Sequence, residues 1–327
     1  MRILTWHIHG SYLYYLTQCP HEFFLPFKEG RPYGYAGRTD AYPWPDNVHQ
    51  VRAGDVAGLE LDCILFQSRQ NYLEDQYEIL SPEQRRLPRL YLEHDPPREH
   101  PTDTRHPVDD PEILLIHVTH FNNLMWDSGR APCRVIEHGV LVPESARYTG
   151  EVERGLVVVN NLQSGGRRLG LDIFETARTQ VPLDLAGINS EHLGGLGSLT
   201  HRQLLELEGR YRFIFNPIRY ASLGLAICEA MMIGMPIVGL ATTEMVTTIE
   251  SGLNGYIDTD PEQLVLHMNR LLSDPEEARL LGRGARREAL KRFNIQRFIL
   301  DWDNAFDYIT EGAAGRTGRR PQEILYS

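Results

Sequence analysis

The chain has 327 residues and a formal net charge of −11, an acidic balance that excludes a protein built to grip a nucleic-acid backbone, which needs a basic face. At 42% hydrophobic and 24% charged residues it is an ordinary globular sequence, long enough for two domains. Cys19, Cys63, Cys133 and Cys228 lack any Cys-x-x-Cys spacing, which excludes a zinc ribbon or disulfide framework and fits a reducing compartment; with no apolar run of bilayer length and no leader-like start, a soluble, cytoplasmic protein is expected.

In chain order, residues 2–7 read as a first buried strand, His9-Gly10-Ser11 as a turn, and 12–18 as a helix. Further apolar runs at 63–67, 89–92, 113–118 and 134–136 read as strands separated by polar or helical segments. That alternation predicts a parallel sheet covered by helices. Residues 26–45 and 95–111, rich in Gly, Pro, Tyr, Asp and His, read as long loops. A polar stretch at 144–154 marks a boundary, after which the pattern restarts. Strands are expected at 155–159, 183–186, 213–216, 236–240 and 255–257. Helices are expected at 172–180, 201–208, 225–233, 261–272, 275–292 and 295–309, with Asp260 as an N-cap. The resulting division is an N-terminal Rossmann-like domain over 1–150, a second over 151–294, and a C-terminal segment 295–327 whose helix crosses back to the first domain before a mobile tail at 312–327. The fold class is α/β, two doubly wound domains facing each other across a cleft, with ligands expected outside the carboxyl ends of the strands.

The chemistry is concentrated between Phe215 and Val238. This stretch reads as strand, loop, Gly-containing turn, helix, Gly-x-Pro, strand. Gly224 lets a ligand approach the backbone, and the helix opening at Leu225 offers free N–H groups and a positive dipole end suited to a diphosphate. Glu229 lies one turn further on, within reach of a ribose hydroxyl pair. Gly234 closes the helix.

Here the chain resembles the retaining GT-B glycosyltransferases of family 4, whose signature is Glu-x-Phe-Gly-Leu-x-x-x-Glu-Ala followed by Gly-x-Pro-Val-Val. The matching residues run from Ala221 through Gly224 and Leu225 to Glu229-Ala230, then Gly234-Met235-Pro236. His138-Gly139-Val140-Leu141, the 160–172 segment, and Thr242–Val246 with Gly252-Leu253-Asn254-Gly255 resemble further pieces of the same family. The resemblance implies a nucleotide-sugar site in which Gly224 and Leu225 face the donor phosphates, Glu229 holds the ribose, and Arg167 or Arg168 neutralises the leaving diphosphate. The family's first Glu falls on Ala221, so Arg219 and Glu244 become the candidates for holding the donor sugar.

On the N-terminal side, His9, Gly10, Ser11, His94 and Asp95 are expected at the cleft, His94 as a catalytic candidate. Tyr33, Tyr35, Tyr42 and Trp44 are loop aromatics suited to a carbohydrate or lipid-head contact. The resemblance implies transfer of a sugar from a nucleotide-diphosphate donor to a glycan or lipid-linked acceptor, with retention of configuration. It also implies no metal or other cofactor, a role in cell-envelope polysaccharide synthesis, and contact with the inner face of a membrane. Two alternatives stand beside it: a non-catalytic nucleotide-sugar binder, favoured by Ala221, and a metallohydrolase using His7, His9, His94 and Asp95.

Overall fold

The computed structural model describes residues 1–315; most of the segment read as a mobile tail, 316–327, lies outside the described residues. The first lobe is a seven-stranded sheet made of β1 (Arg2–Thr5), β2 (Glu22–Phe27), β3 (Val48–Arg52), β4 (Cys63–Phe66), β5 (Arg89–Glu93), β6 (Ile113–His117) and β7 (Cys133–Val135), with helices α1 (Gly10–Leu16), α2 (Gln76–Ile79) and α3 (His120–Met125). The second is a five-stranded sheet made of β8 (Val152–Val158), β9 (Leu183–Ala186), β10 (Tyr211–Asn216), β11 (Ile237–Leu240) and β12 (Gly255–Asp258). Its helices are α4 (Leu162–Leu169), α5 (Leu171–Ala177), α6 (His201–Glu208), α7 (Leu225–Ile233), α8 (Met245–Thr248), α9 (Pro261–Ser273) and α10 (Pro275–Arg292). The chain continues into α11 (Ile295–Gly315).

Every strand pairing is parallel. Strands buried on both faces need continuous apolar runs, and the CILF of β4 and the ILLIH of β6 are buried throughout. The strand orders are β3-β2-β1-β4-β5-β6-β7 and β12-β11-β10-β8-β9. Each order reverses once, between β1 and β4 in the first sheet and between β8 and β10 in the second. Those reversals are the crevices where such sheets hold ligands.

Three elements depart from the sequence reading. β2 and β3 were not anticipated: β2 contains Pro26, which lacks an amide for the ladder, and edge strand β3 alternates polar and buried positions. The 160–170 segment, read as a loop, forms α4, with a break at Gly166 (φ 53°, ψ −139°) that only glycine tolerates easily. The Gly165-Gly166 pair hid the helix from a propensity reading.

The lobes share one core. Tyr12, Tyr15, Ile227, Phe298 and Trp302 belong to a single apolar cluster that runs between them. α11 returns to the first lobe, where Trp302 Nε1 donates to the Tyr12 hydroxyl at 3.2 Å. Phe298 packs so closely on Gly139 that an added Cβ there would sit 2.2 Å from its side chain. Among the described residues no helix is long and apolar enough to cross a membrane.

Candidate functional site

The carboxyl ends of the two sheets face each other, and short polar contacts join their loops. α3 opens against the second lobe: the Phe121 amide donates to Glu244 Oε2 at 2.9 Å. Asn122 Nδ2 reaches both the His94 carbonyl and Ser222 Oγ, each at 3.2 Å. The Tyr220 hydroxyl donates to the Pro97 carbonyl at 2.9 Å. His138 Nε2 lies 2.8 Å from the Leu223 carbonyl, the residue before Gly224. Burial is the main force on this imidazole and pushes its pKa down to about 4, against the Leu223 bond. It is therefore neutral and donates its Nε2 proton, anchoring the loop that leads into α7.

Apart from Glu229, α7 is apolar on every face and it is buried from Ile227 to Ile233, so its axis is fixed by packing rather than by amphipathic fit. Its N-cap is Gly224, with extended backbone (φ −72°, ψ 142°), and no side chain caps the helix. Gly224 is exposed, and a Cβ added there would meet no atom within 4 Å. Protein packing thus does not require glycine at this position. At the other end Gly234 adopts φ 99°, the left-handed cap that stops the helix before β11.

Glu229 is 2% exposed. Its Oε1 accepts the Tyr15 hydroxyl at 2.6 Å and lies 3.0 Å from His201 Nε2, which is itself 2.9 Å from the Tyr15 oxygen. Both contacts fall on Oε1, and no described residue donates to Oε2. Tyr15 comes from α1 in the first lobe and His201 from the start of α6, whose N-terminus is set by a Thr200–Gln203 capping box. Glu208, at the end of α6, is fully buried with neither carboxyl oxygen hydrogen-bonded. Desolvation first, and then the neighbouring Glu229, raises its pKa well above the carboxylate range.

The four basic or acidic candidates around the second-lobe loops separate clearly. Arg219 grips Asp172 with both terminal nitrogens at 2.6 and 2.8 Å, and Arg167 reaches the same carboxylate at 2.5 Å while its side chain is 76% exposed. The two guanidiniums share this one carboxylate, Arg219 through a paired contact and Arg167 through a contact more open to solvent. Arg168 has no carboxylate partner within ion-pair distance among the described residues. Its Nη1 donates to the Tyr220 carbonyl at 3.3 Å, and it feels Arg98 and Asp95 of the opposite lobe. Burial and the like charge of Arg98 both disfavour its cation, so an anion beside it would be doubly favourable. Glu244 is 3% exposed, bonded to the Phe121 amide and the Thr247 hydroxyl, and 3.4 Å from Arg292. It ties the lobes together rather than presenting a carboxylate to the cleft. The preceding Thr243 sits at φ +50°, a strained conformation for a β-branched residue.

In the first lobe, His9 and His94 follow β1 and β5 with ring centroids 4.0 Å apart, and His94 Nε2 lies 3.1 Å from Gln67 Oε1. Desolvation lowers the pKa of both, so both are neutral at pH 7. Asp95 pairs with Arg98 at 2.6 Å. The space above Gly10 is filled: an added Cβ would lie 2.7 Å from the Tyr42 ring and 3.0 Å from His7. Ser11 Oγ is 3.1 Å from the Tyr42 hydroxyl. Gly10 and Ser11, expected as ligand contacts, both lie against Tyr42, which also stacks on Tyr14. Of the other loop aromatics, Tyr35 and Trp44 are buried and Tyr33 is 60% exposed. His7 turns away to the Gly37 carbonyl at 2.6 Å, and among the described residues no three His, Cys, Asp or Glu side chains are placed to hold a metal. The ligand set required by the metallohydrolase alternative is not assembled.

Tyr15, His201, Asn122, Tyr220 and Arg98 were missed by the sequence reading. Tyr15 lies 214 positions from Glu229, and a tyrosine at helical spacing reads as packing. Only the capping signature before His201 hinted that its position was fixed.

Two facing doubly wound sheets of this kind define the GT-B fold, and comparison with known proteins agrees. Residues 186–288, from the end of β9 into α10, match the family described as glycosyl transferases group 1. Sucrose-phosphate synthase from Thermosynechococcus elongatus superposes with a TM-score of 0.69 at 15% identity, over 95% of this chain and 100% of that one. HepE of Anabaena, solved in complex with UDP, gives 0.66 at 15% identity, over 94% and 100%. Among curated proteins, spore coat protein SA of Bacillus subtilis (strain 168) is 42% identical over 72 residues, which span 21% of this chain and only 19% of that protein.

Proposed function

We propose that this protein is a glycosyltransferase that moves a sugar from a nucleotide-diphosphate donor to a glycan acceptor, with the donor bound on the second lobe (151–294) and the acceptor on the first (1–150). The carrying observation is the combination of an uncapped α7 N-terminus, open space over Gly224, and the carboxylate-free Arg168 at the end of α4, whose carbonyl accepts the Arg219 and Tyr220 amides of the loop leading into α7. A diphosphate at that junction would meet the free amides and positive dipole end of α7. Arg168 would balance the charge that grows on the leaving diphosphate as the glycosidic bond breaks. Of the two arginines that sequence left open, Arg168 is the choice of this reading, because Arg167 is largely in solvent and pairs with Asp172, whereas Arg168 is half-buried with no carboxylate partner among the described residues. Glu229 would hold the ribose through Oε2, with Oε1 pinned by Tyr15 and His201.

His94 and His9, neutral and facing the cleft from the first lobe, would contact the transferred sugar as hydrogen-bonding groups rather than cations. Asn122, Ser222 and Tyr220 hold the loop around Ala221, whose methyl replaces the carboxylate of related sequences. UDP is the first donor base to try, since HepE was solved with it. Retention of configuration and independence of a metal are part of this reading. So is a lipid-linked acceptor at a membrane face.

The test is turnover: purified protein is incubated with a panel of nucleotide sugars and glycan or lipid-linked acceptors, and nucleoside diphosphate release is followed with and without chelator. Product formation with the donor's anomeric configuration, unaffected by chelator, is expected. Nucleotide binding without turnover of any donor would convert the reading to that of a binding protein.

A further inference from the structure

A second concavity lies at the opposite end of α7 from the donor site. It has a volume of about 730 Å³ and is lined by Arg147, Arg279, Arg283 and Arg286 against one acidic residue, Glu144, with Tyr148 and Gln296 among its other polar residues and Val142, Met232 and Leu290 among the apolar ones. For a chain of net charge −11, four arginines on one concave surface form a strong local exception. Three of them, on α10, recur at helical spacing, which places them on one face.

Their commitments differ. Arg286 donates to the Met232 carbonyl at 2.6 Å and so completes the C-terminus of α7. Arg279 pairs only with Glu276, whose side chain is 79% exposed, a solvent-screened contact that is readily given up. Arg147 donates only through Nε, to the Glu144 carbonyl at 2.9 Å, leaving its two terminal nitrogens free of described partners. Arg283 has no hydrogen-bond or ion-pair partner among the described residues. The groove also contains the opening turn of α11, where the amides of Gln296 and Arg297 are already taken by the Asn294 side chain. The arginines, not that helix end, supply the available charge.

The position is as informative as the charge. Both stretches of chain that pass between the lobes line the groove: residues 140–148 on one side and 294–296 on the other. They are joined to each other by the Val140 amide, which donates to the Phe293 carbonyl at 3.0 Å. Arg147 stands on the first crossover, and Arg279 and Arg283 on the helix that leads into the second.

We propose that this groove is a binding site for a phosphorylated ligand, held by Arg147, Arg279 and Arg283 at the hinge between the lobes and separate from the donor site. Planar guanidinium groups suit phosphate oxygens in paired hydrogen bonds. The apolar patch formed by Val142, Met232 and Leu290 accommodates a non-polar portion of the same molecule. A bound ligand would link one crossover to the other and so resist lobe opening.

The probe is inorganic tripolyphosphate, titrated calorimetrically, with vesicles of phosphatidylglycerol against phosphatidylcholine as a second arm to distinguish a free phosphorylated ligand from a lipid headgroup. Gly224→Val combined with Arg168→Ala is used throughout to remove the anion site in the cleft, at both the α7 amides and the facing guanidinium. In that background, tripolyphosphate or the anionic vesicles should still bind. Arg279→Glu with Arg283→Glu should weaken that binding by at least about tenfold per arginine, and Arg147→Ala should weaken it independently. All three positions are exposed, so thermal melting should stay near that of the parent. Nucleoside diphosphate binding in the otherwise wild-type chain should survive the hinge substitutions, which separates failure here from failure of the donor assignment. Absence of binding by both probes in the Gly224→Val, Arg168→Ala background, or equal binding by the hinge variants, would overturn the proposal.

Discussion

Tyr15→Phe removes a single oxygen, and the structure specifies what that oxygen does. It donates to a carboxylate that is 2% exposed, at 2.6 Å, across the boundary between the lobes. A hydrogen bond to a charged, buried group contributes about 1.5–3 kcal/mol, and the phenylalanine ring fills the same space, so little packing energy is lost. The full effect should appear as a lowered melting temperature. The bond exists only when the lobes are together, and its loss shifts the balance toward an open cleft by about ten- to a hundredfold. If the closed arrangement is the one that grips the nucleotide, apparent nucleoside diphosphate affinity falls by up to that factor. The assay is a calorimetric titration of nucleotide into wild type and variant, alongside thermal melting of each. A variant with wild-type melting and wild-type affinity would refute the reasoning. One that melts lower yet binds as tightly would show that Tyr15 stabilises the fold without positioning Glu229.

Arg168→Ala should reduce turnover by about a hundredfold or more if the guanidinium meets the leaving diphosphate, whereas Arg167→Ala should change it little; steady-state kinetics of both variants, with equal losses, would contradict the assignment. Glu208→Gln should raise the melting temperature at pH 8 and much less at pH 4.5. The folded pKa of Glu208 is raised, so the folded state binds more protons than the unfolded one, and stability falls as pH rises above the ordinary carboxylate range toward that raised value. The buried histidines act in the opposite sense. His94 and His138 are depressed by desolvation, His138 to about 4 and His117 to about 3, so their stabilising contribution is complete above the unfolded value near 6.5 and is lost as pH falls from there toward 3. Melting curves from pH 7 to pH 4 should therefore decline steeply, and replacing His138 with Asn should flatten part of that decline.

Much of the fold was legible because buried parallel strands must be continuous apolar runs, and the runs at β1, β4, β6, β8 and β10 announce themselves. β2 and β3 were hidden by Pro26 and by the polar alternation of an edge strand. α4 was hidden by Gly165 and Gly166, whose use depends on a break that no propensity describes. At the proposed site, the positions of Gly224, Leu225 and Glu229 on α7 could be read because helix N-termini and glycine turns leave local marks. Their partners could not. Tyr15 meets Glu229 only after two lobes have folded and closed, and nothing in the sequence near Arg167 or Arg168 says which of them Asp172 neutralises. Gly10, read as a ligand contact, has a packing role that the sequence did not show: its missing side chain makes room for Tyr42.

Gly224→Val gives the most direct test of the donor site. An added Cβ at this position meets no protein atom within 4 Å, and extended backbone suits a β-branched residue, so the variant should fold and melt close to wild type. The measurement is calorimetric titration of UDP, then of other nucleoside diphosphates, into both proteins. The prediction is binding at a single site by the wild type and at least about tenfold weaker binding by the variant, because the side chain would occupy the space over the α7 amides. Equal affinity in the two proteins would contradict the placement of the diphosphate at the start of α7.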